Sequence, residues 1–159
     1  MNINIIAVGK VKEKYILEGI AEFKKRLTPH AKVTIIEVSD EAAPENLSES
    51  EMEIVKNKEG EKILKKIKDQ DFVITLEIKG KKLTSEKFAE KIENIQVMGS
   101  STIDFVIGGS LGISDEIMER SNFALSFSDM TFPHQLMRLI LIEQIYRSFR
   151  ILNNFPYHK

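Results

Sequence analysis

Apolar positions along this chain alternate between short dense runs and spaced helical stripes, from one end to the other. NINIIAV opens it as a strand. From Glu13 to Leu27, Ile16, Leu17, Ile20, Phe23 and Leu27 recur at helical spacing, and Pro29 follows the end. KVTIIEV predicts a second strand and the polar SDEAAPENLSESE a loop. Ser48 and Glu51 then form a capping box that starts a charged helix running to about Lys68. Its apolar positions are Met52, Ile54, Val55, Ile63, Leu64 and Ile67, enough for a surface helix. DFVITLEI is almost unbroken, as in a strand covered on both faces, and KGKK reads as the turn after it. Thr84 caps a helix through about Ile95, and STIDFVIGG is the next buried strand. Ser114 caps a short helix whose first turn carries Asp115 and Glu116, where the helix dipole favours acids. NFALSFS predicts a last strand, and Pro133 opens a helix that runs to about Leu152. Strands alternating with helices in this way predict an α/β sandwich with a mostly parallel sheet.

The last helix departs from a simple stripe. Leu136, Met137, Leu139, Ile140, Leu141, Ile142, Ile145, Tyr146 and Phe149 occupy more than one face, so most of its circumference needs cover. In a chain this small a second copy is the expected source of that cover, and a homodimer is predicted. The other reading is a helix buried wholly within its own domain.

Composition narrows the class. A length of 159 residues fits one domain with a sizeable core, and 42% apolar with 30% charged residues is ordinary for a soluble globular chain. No apolar run approaches the roughly 18 to 20 residues that span a bilayer, so no membrane partner is expected. The first residues, MNINIIAVGKVKEKY, read as a strand rather than a signal peptide. With no cysteine, disulfides, thiolate nucleophiles and zinc–thiolate sites are excluded, which suits the cytoplasm. The three histidines show no ligand spacing, so no metal is expected. The net charge of −1 hides a segregation: seven basic and three acidic residues from Lys10 to Lys32, then nine acidic and two basic from Glu37 to Glu61. From Thr131 onward there are four basic and one acidic, with His134 and His158 besides. Two basic segments around an acidic one suit a local RNA footprint, and equally suit solvated helix faces.

Three stretches carry candidate chemistry. FVIGGSLGIS places Gly108, Gly109 and Gly112 between a strand and a helix start. It lacks the dinucleotide spacing, and Ile113 stands where a phosphate loop has lysine. What remains is a turn whose glycines let a ligand approach the backbone, or a tight turn with no ligand. LSFSDMTFPHQLMR mixes hydrogen-bonding Ser128, Asp129 and Thr131 with apolar Phe127, Met130 and Phe132, just past a strand end where α/β sheets bind ligands. That mixture suits a flat heterocycle; the plainer alternative is a capping loop with Thr131 as the cap. The tail NNFPYHK sets Phe155, Tyr157, His158 and Lys159 together, aromatic beside cationic, as in groups that stack on unpaired bases. Its plainer alternative is a strap of aromatics pinned to the core. His158 is the histidine placed to titrate in a reachable position.

FVIGGSLGIS, the block LSFSDMTFPHQLMRLILIEQIYRSFRI and the terminal NNFPYHK together resemble the bacterial large-subunit rRNA pseudouridine methyltransferases of the SPOUT, or α/β-knot, superfamily. The resemblance spans essentially the whole chain, and the final thirty residues carry its most specific part. It implies one domain over residues 1–159, with a deep trefoil knot over about 102–152 and a short functional tail at 153–159. It implies a homodimer that binds S-adenosylmethionine in the knot and methylates N3 of a pseudouridine in 23S rRNA of the assembled ribosome. Carried over by motif, the cofactor positions are Leu76, Gly108, Phe127, Ser128, Asp129, Met130, Thr131 and Phe132. The catalytic candidates are His158, Tyr157, Glu143 and Arg147, with His158 ahead of Glu143 as the group that takes the N3 proton. Glu143 and Arg147 stand at i, i+4 on the last helix, a spacing that also suits a plain ion pair. One departure is Lys159, where members of the family often carry arginine; lysine keeps the charge and loses the planar fork. Readings of another class are a non-catalytic dimeric RNA- or ribosome-binding module and a nucleotide-sensing regulator.

Overall fold

The computed structural model describes residues 1–159. Five strands and five helices alternate: β1 (Asn2–Val8), α1 (Lys14–Leu27), β2 (Lys32–Val38), α2 (Glu49–Leu64), β3 (Phe72–Lys82), α3 (Ser85–Val97), β4 (Thr102–Ile107), α4 (Asp115–Arg120), β5 (Phe123–Ser126) and α5 (His134–Leu152). All strand pairs are parallel, in the order β2-β1-β4-β3-β5. The sheet is covered on both faces, which is why β1 and β4 are nearly continuous apolar runs. One face carries α1, α3 and α5 over the larger core, where Ile5, Phe105, Leu141 and Ile145 are fully buried. The other face carries α2 and α4 over a smaller cluster that includes Ile6, Val106 and Ile117.

Most expected boundaries hold to within a residue or two, because caps mark them. Ser48 accepts from the Glu51 amide and Glu51 reaches back, completing the capping box. Thr84 and Ser114 cap α3 and α4 by accepting from the Lys87 and Ile117 amides. Helix α2 ends at Leu64, a turn short of Lys68, and buries Val55, Glu59, Gly60 and Ile63 while Ile54 faces solvent. Its inner face is the i, i+4 row 55–59–63, so a glutamate occupies a position that the apolar stripe alone does not reveal. Thr131 does not cap α5; Pro133 precedes the first helical residue, with no side-chain cap.

The KGKK segment is not a turn. It continues β3, which pairs with β5 at Leu76 and Leu125, bulges out, and pairs again through Lys81 with Leu125 and Lys82 with Ser126. Residues 77–80 form the bulge. A Cβ on Gly80 would lie 2.8 Å from the backbone of Ala124 and Leu125, so only glycine lets the returning strand close up.

Helix α5 has no exposed residue, as its all-round apolar pattern requires. Its own chain supplies much of that cover: α1 and α3 pack along it, and Leu139 rests against Gly19 of α1.

Candidate active site

The strands end in three segments that converge beyond their carboxyl ends. The first is the β3 bulge after Leu76, the second the glycine turn after β4, and the third the segment from Leu125 to Phe132 after β5. Together with His134 and Met137 of α5 they enclose a cavity of about 330 Å³. The glycine turn is built from its glycines. Gly112 adopts φ +92°, and its amide donates to the Gly109 carbonyl at 3.1 Å. A Cβ on Gly108 would lie 2.8 Å from the Gly112 carbonyl. The turn therefore folds back on itself as no larger residue permits.

Of the eight expected cofactor positions, Leu76, Gly108, Phe127, Ser128, Met130, Thr131 and Phe132 line this cavity. Asp129 does not. Its carboxylate points outward, 82% exposed, and pairs with Lys82. Asp129 is two residues beyond Phe127 in an extended loop, and the cation on the returning β3 draws it to the outside. Ser128 serves the loop as well as the wall, its hydroxyl accepting from the Met130 amide at 3.0 Å.

The cavity also contains groups that the sequence did not single out. Glu77, Ile78 and Lys79 enter through the bulge, where the sequence reads the end of a strand running into a turn. Met118 comes from α4, and His134 and Met137 come from the start of α5. Burial, with the Arg138 charge nearby, holds the His134 ring below the usual histidine range, so it is neutral at neutral pH. Behind the glycine turn, Glu59 of α2 sets Oε1 3.1 Å from where a Cβ on Gly109 would be, while Oε2 accepts from the Glu41 amide at 3.1 Å. Burial pushes the Glu59 carboxyl up. Arg138, 1% exposed, braces the floor from α5: it donates to Glu37 at 2.7 Å and to the Val8 and Gly9 carbonyls at 3.0 and 2.8 Å.

The four catalytic candidates come together elsewhere, and none of them lines the cavity. The Tyr157 hydroxyl donates to Glu143 Oε2 at 2.8 Å, and Arg147 donates to the same carboxylate at 2.7 Å. Arg147 also lies 4.7 Å over the Tyr157 ring and 3.2 Å from His158 Nδ1. Guanidinium only donates, so Nδ1 accepts and the neutral ring carries its proton on Nε2, facing Glu86. The tail is thus a pinned strap. Tyr157 stands edge-on to Tyr146 at 4.9 Å, and Phe155 lies beneath Arg150 at 4.5 Å. His158, expected in a reachable position, is 26% exposed and held on both sides.

Over residues 1–158 the sequence matches the family model described as predicted SPOUT methyltransferase. It is 69% identical to the ribosomal RNA large subunit methyltransferase H of Finegoldia magna, over the full length of both chains. It is 60% identical to the proteins of that name from Alkaliphilus oremlandii and Clostridioides difficile, again end to end. The chain belongs to the SPOUT methyltransferases, in the family of ribosomal RNA large subunit methyltransferase H. A probable methylase family protein from Haemophilus influenzae shares the fold, with a TM-score of 0.55 over 99% of this chain and 70% of that one, at 15% identity.

SPOUT methyltransferases take the methyl group from S-adenosylmethionine, and the residues present fit that donor. The glycine turn carries no following cation, as suits a nucleoside without phosphates. Leu76, Ile107, Ile113, Leu125, Phe132 and Met137 offer apolar walls to a flat base, and Glu77 offers a carboxylate to a cationic ligand. No group of three or more carboxylate or histidine side chains stands where it could hold a metal ion. No helix is long and apolar enough to cross a membrane.

Proposed function

We propose that this methyltransferase modifies N3 of a pseudouridine in 23S rRNA of the assembled ribosome, working in the cytoplasm as a homodimer with a site shared between subunits. The rRNA assignment is supported by the name of its full-length relatives. The observation that carries the shared site is a separation along α5. His134 at its start lines the cavity, and Arg147 of the tail cluster stands thirteen residues on, roughly 20 Å at 1.5 Å per residue. Two copies laid side by side in opposite directions set the tail of one against the cavity of the other. Tyr15 and Leu17, exposed on α1 where it packs beside α5, offer apolar surface for that contact.

In this reading residues 1–159 are one domain. The chain from about 102 to 152 is knotted around the cofactor, and 153–159 form the working tail. That assignment is supported by the way the glycine turn, the Leu125–Phe132 segment and the start of α5 enclose one cavity.

The donor supplies an electrophilic methyl on sulfur, and the chain's own work is alignment and one proton. Leu76, Gly108 and the Phe127–Phe132 segment hold the nucleoside end, with Asp129 outside the contact. Tyr157 stacks on the target base. Its hydroxyl stays protonated, because burial and its bond to Glu143 push its pKa above the usual phenol range. Arg147 donates to the base carbonyls or a backbone phosphate. Glu143, already accepting from Tyr157, Arg147 and Gln144, positions those donors rather than taking a proton. His158 Nδ1 takes the N3 proton once Arg147 turns to the RNA.

The test is complementation in mixed dimers. One chain lacks residues 157–159, and the other carries a glycine-turn substitution that abolishes cofactor binding. Each alone is inactive on ribosomes. Recovery of activity on mixing, up to one working site per mixed dimer, supports the shared site. No recovery, with mixed dimers shown to form, overturns it. Ribosome binding by the intact chain with no uptake of S-adenosylmethionine would favour a non-catalytic RNA-binding module.

A further inference from the structure

Strand β3 breaks its ladder with β5 after Leu76, extrudes residues 77–80, and rejoins at Lys81. Bulges beside sites serve to re-aim side chains, and this one sets Glu77 into the cavity lining directly after Leu76. The carboxylate is held in place there. The hydroxyl of Thr75, a fully buried residue, donates to Glu77 Oε2 at 2.5 Å. Behind it, Ser121 Oγ lies 2.9 Å from Thr75 Oγ1 and 3.0 Å from the Phe123 carbonyl, and its one proton serves one of these two acceptors at a time. A buried hydroxyl, backed by a second one, thus orients one acid at the cavity wall. Glu77 is the one carboxylate in that wall; Lys79 is exposed at the mouth, and His134 is neutral.

A fixed negative group in a largely apolar cavity sorts ligands by charge. The methyl donor bears a positive sulfur, and the demethylated product bears a neutral one; the two are otherwise the same molecule. We propose that Glu77 is a specificity-determining residue that makes the cavity prefer the cationic donor over its neutral product, so that loss of the methyl group weakens the hold on what remains. The inference rests on the cavity being the cofactor site. It assigns the bulge, and the Thr75 and Ser121 hydroxyls behind it, to charge discrimination rather than to adenine binding.

Equilibrium titration calorimetry tests this on the intact chain, with S-adenosylmethionine and S-adenosylhomocysteine as separate ligands. Glu77→Gln keeps the size and the hydrogen bond from Thr75 while removing the charge. It should weaken donor binding about tenfold and change product binding less than about twofold, so that the ratio of the two affinities collapses. Lys79→Gln should move the ratio the other way, by less, because its ammonium is exposed. Equal weakening of both ligands in Glu77→Gln would mean an ordinary packing role and would overturn the proposal, as would an unchanged ratio. A separate outcome, in which the unaltered chain binds neither ligand, would sink the cofactor reading on which the proposal stands.

Discussion

Tyr157 donates its hydroxyl to Glu143 at 2.8 Å from a position fourteen residues further along the chain, closing the tail back onto the helix it extends. The bond, the Arg147 guanidinium over the same ring and the edge contact with Tyr146 make the last residues a folded part of the molecule. Tyr157→Phe should therefore lower ribosome methylation by roughly ten- to a hundredfold while S-adenosylhomocysteine binding stays within about twofold. Removal of residues 157–159 should abolish transfer with cofactor binding mostly intact. Single-turnover methylation beside calorimetry checks both, and full activity after the deletion would exclude the tail from catalysis.

Asp104 lies fully buried in β4, one oxygen accepting from Asn4 at 2.8 Å and the other without a partner. Burial, then the neighbouring Asp71, push its carboxyl up to about 7. Because the folded pKa is raised, the native state holds a proton that the unfolded chain has released between about pH 4 and 7. The stabilisation is complete below the unfolded pKa and is lost as pH rises through about 7. Asp104→Asn should remove that slope. Urea titrations should show little change at pH 4 and a gain on the order of 1–3 kcal/mol at pH 8. A variant equally weakened at both values would contradict the assignment.

Arg138 is held by three acceptors, Glu37 of β2, Val8 at the end of β1 and Gly9 just past it, with its Nε unpartnered. Arg138→Met fills the space and strands the Val8 and Gly9 carbonyls with Glu37. The expected loss is about 3–5 kcal/mol, read as a lower Tm and denaturation midpoint. Arg138→Lys should recover only part of it, since one ammonium cannot span the three acceptors.

Gly80→Ala puts a methyl group against the backbone of Ala124 and Leu125. The return of β3 onto β5 must open, at a cost of about 1–3 kcal/mol. The wall formed by Leu125 and Ser126 moves with it, so donor affinity should fall along with thermal stability. Unchanged affinity in a folded variant would separate the bulge from the cavity.

The parts of the fold that were legible are those written locally. Capping residues at Ser48, Thr84 and Ser114 fixed helix starts, and apolar runs announced β3 and β4 as buried strands. Parallel pairing followed from the alternation of strands and helices. What stayed hidden depends on register and on distant partners. KGKK has the composition of a turn, and only its pairing with β5 reveals a strand. Glu59 reads as a solvated charge in an acidic helix, yet the packing of α2 against the glycine turn buries it. Seven of the eight cofactor positions taken from the resemblance meet in one cavity, and Asp129 turns away toward Lys82, a cation from a segment read as a turn. The tail candidates do gather, at a distance from that cavity which no local pattern conveys.

The bond between Arg138 and the Val8 carbonyl joins residues 130 apart, and Asn4 meets Asp104 across 100. Strand β1 is therefore completed late, since its floor is supplied by a helix whose Arg138 is synthesised 130 residues after Val8. A nascent chain lacking α5 has an open β1 and no cavity wall from His134 or Met137. Contacts this distant slow folding, and they leave no stage at which a partial product could bind its ligand. The cavity closes only once α5 has emerged from a ribosome, the kind of particle on which the enzyme is proposed to act.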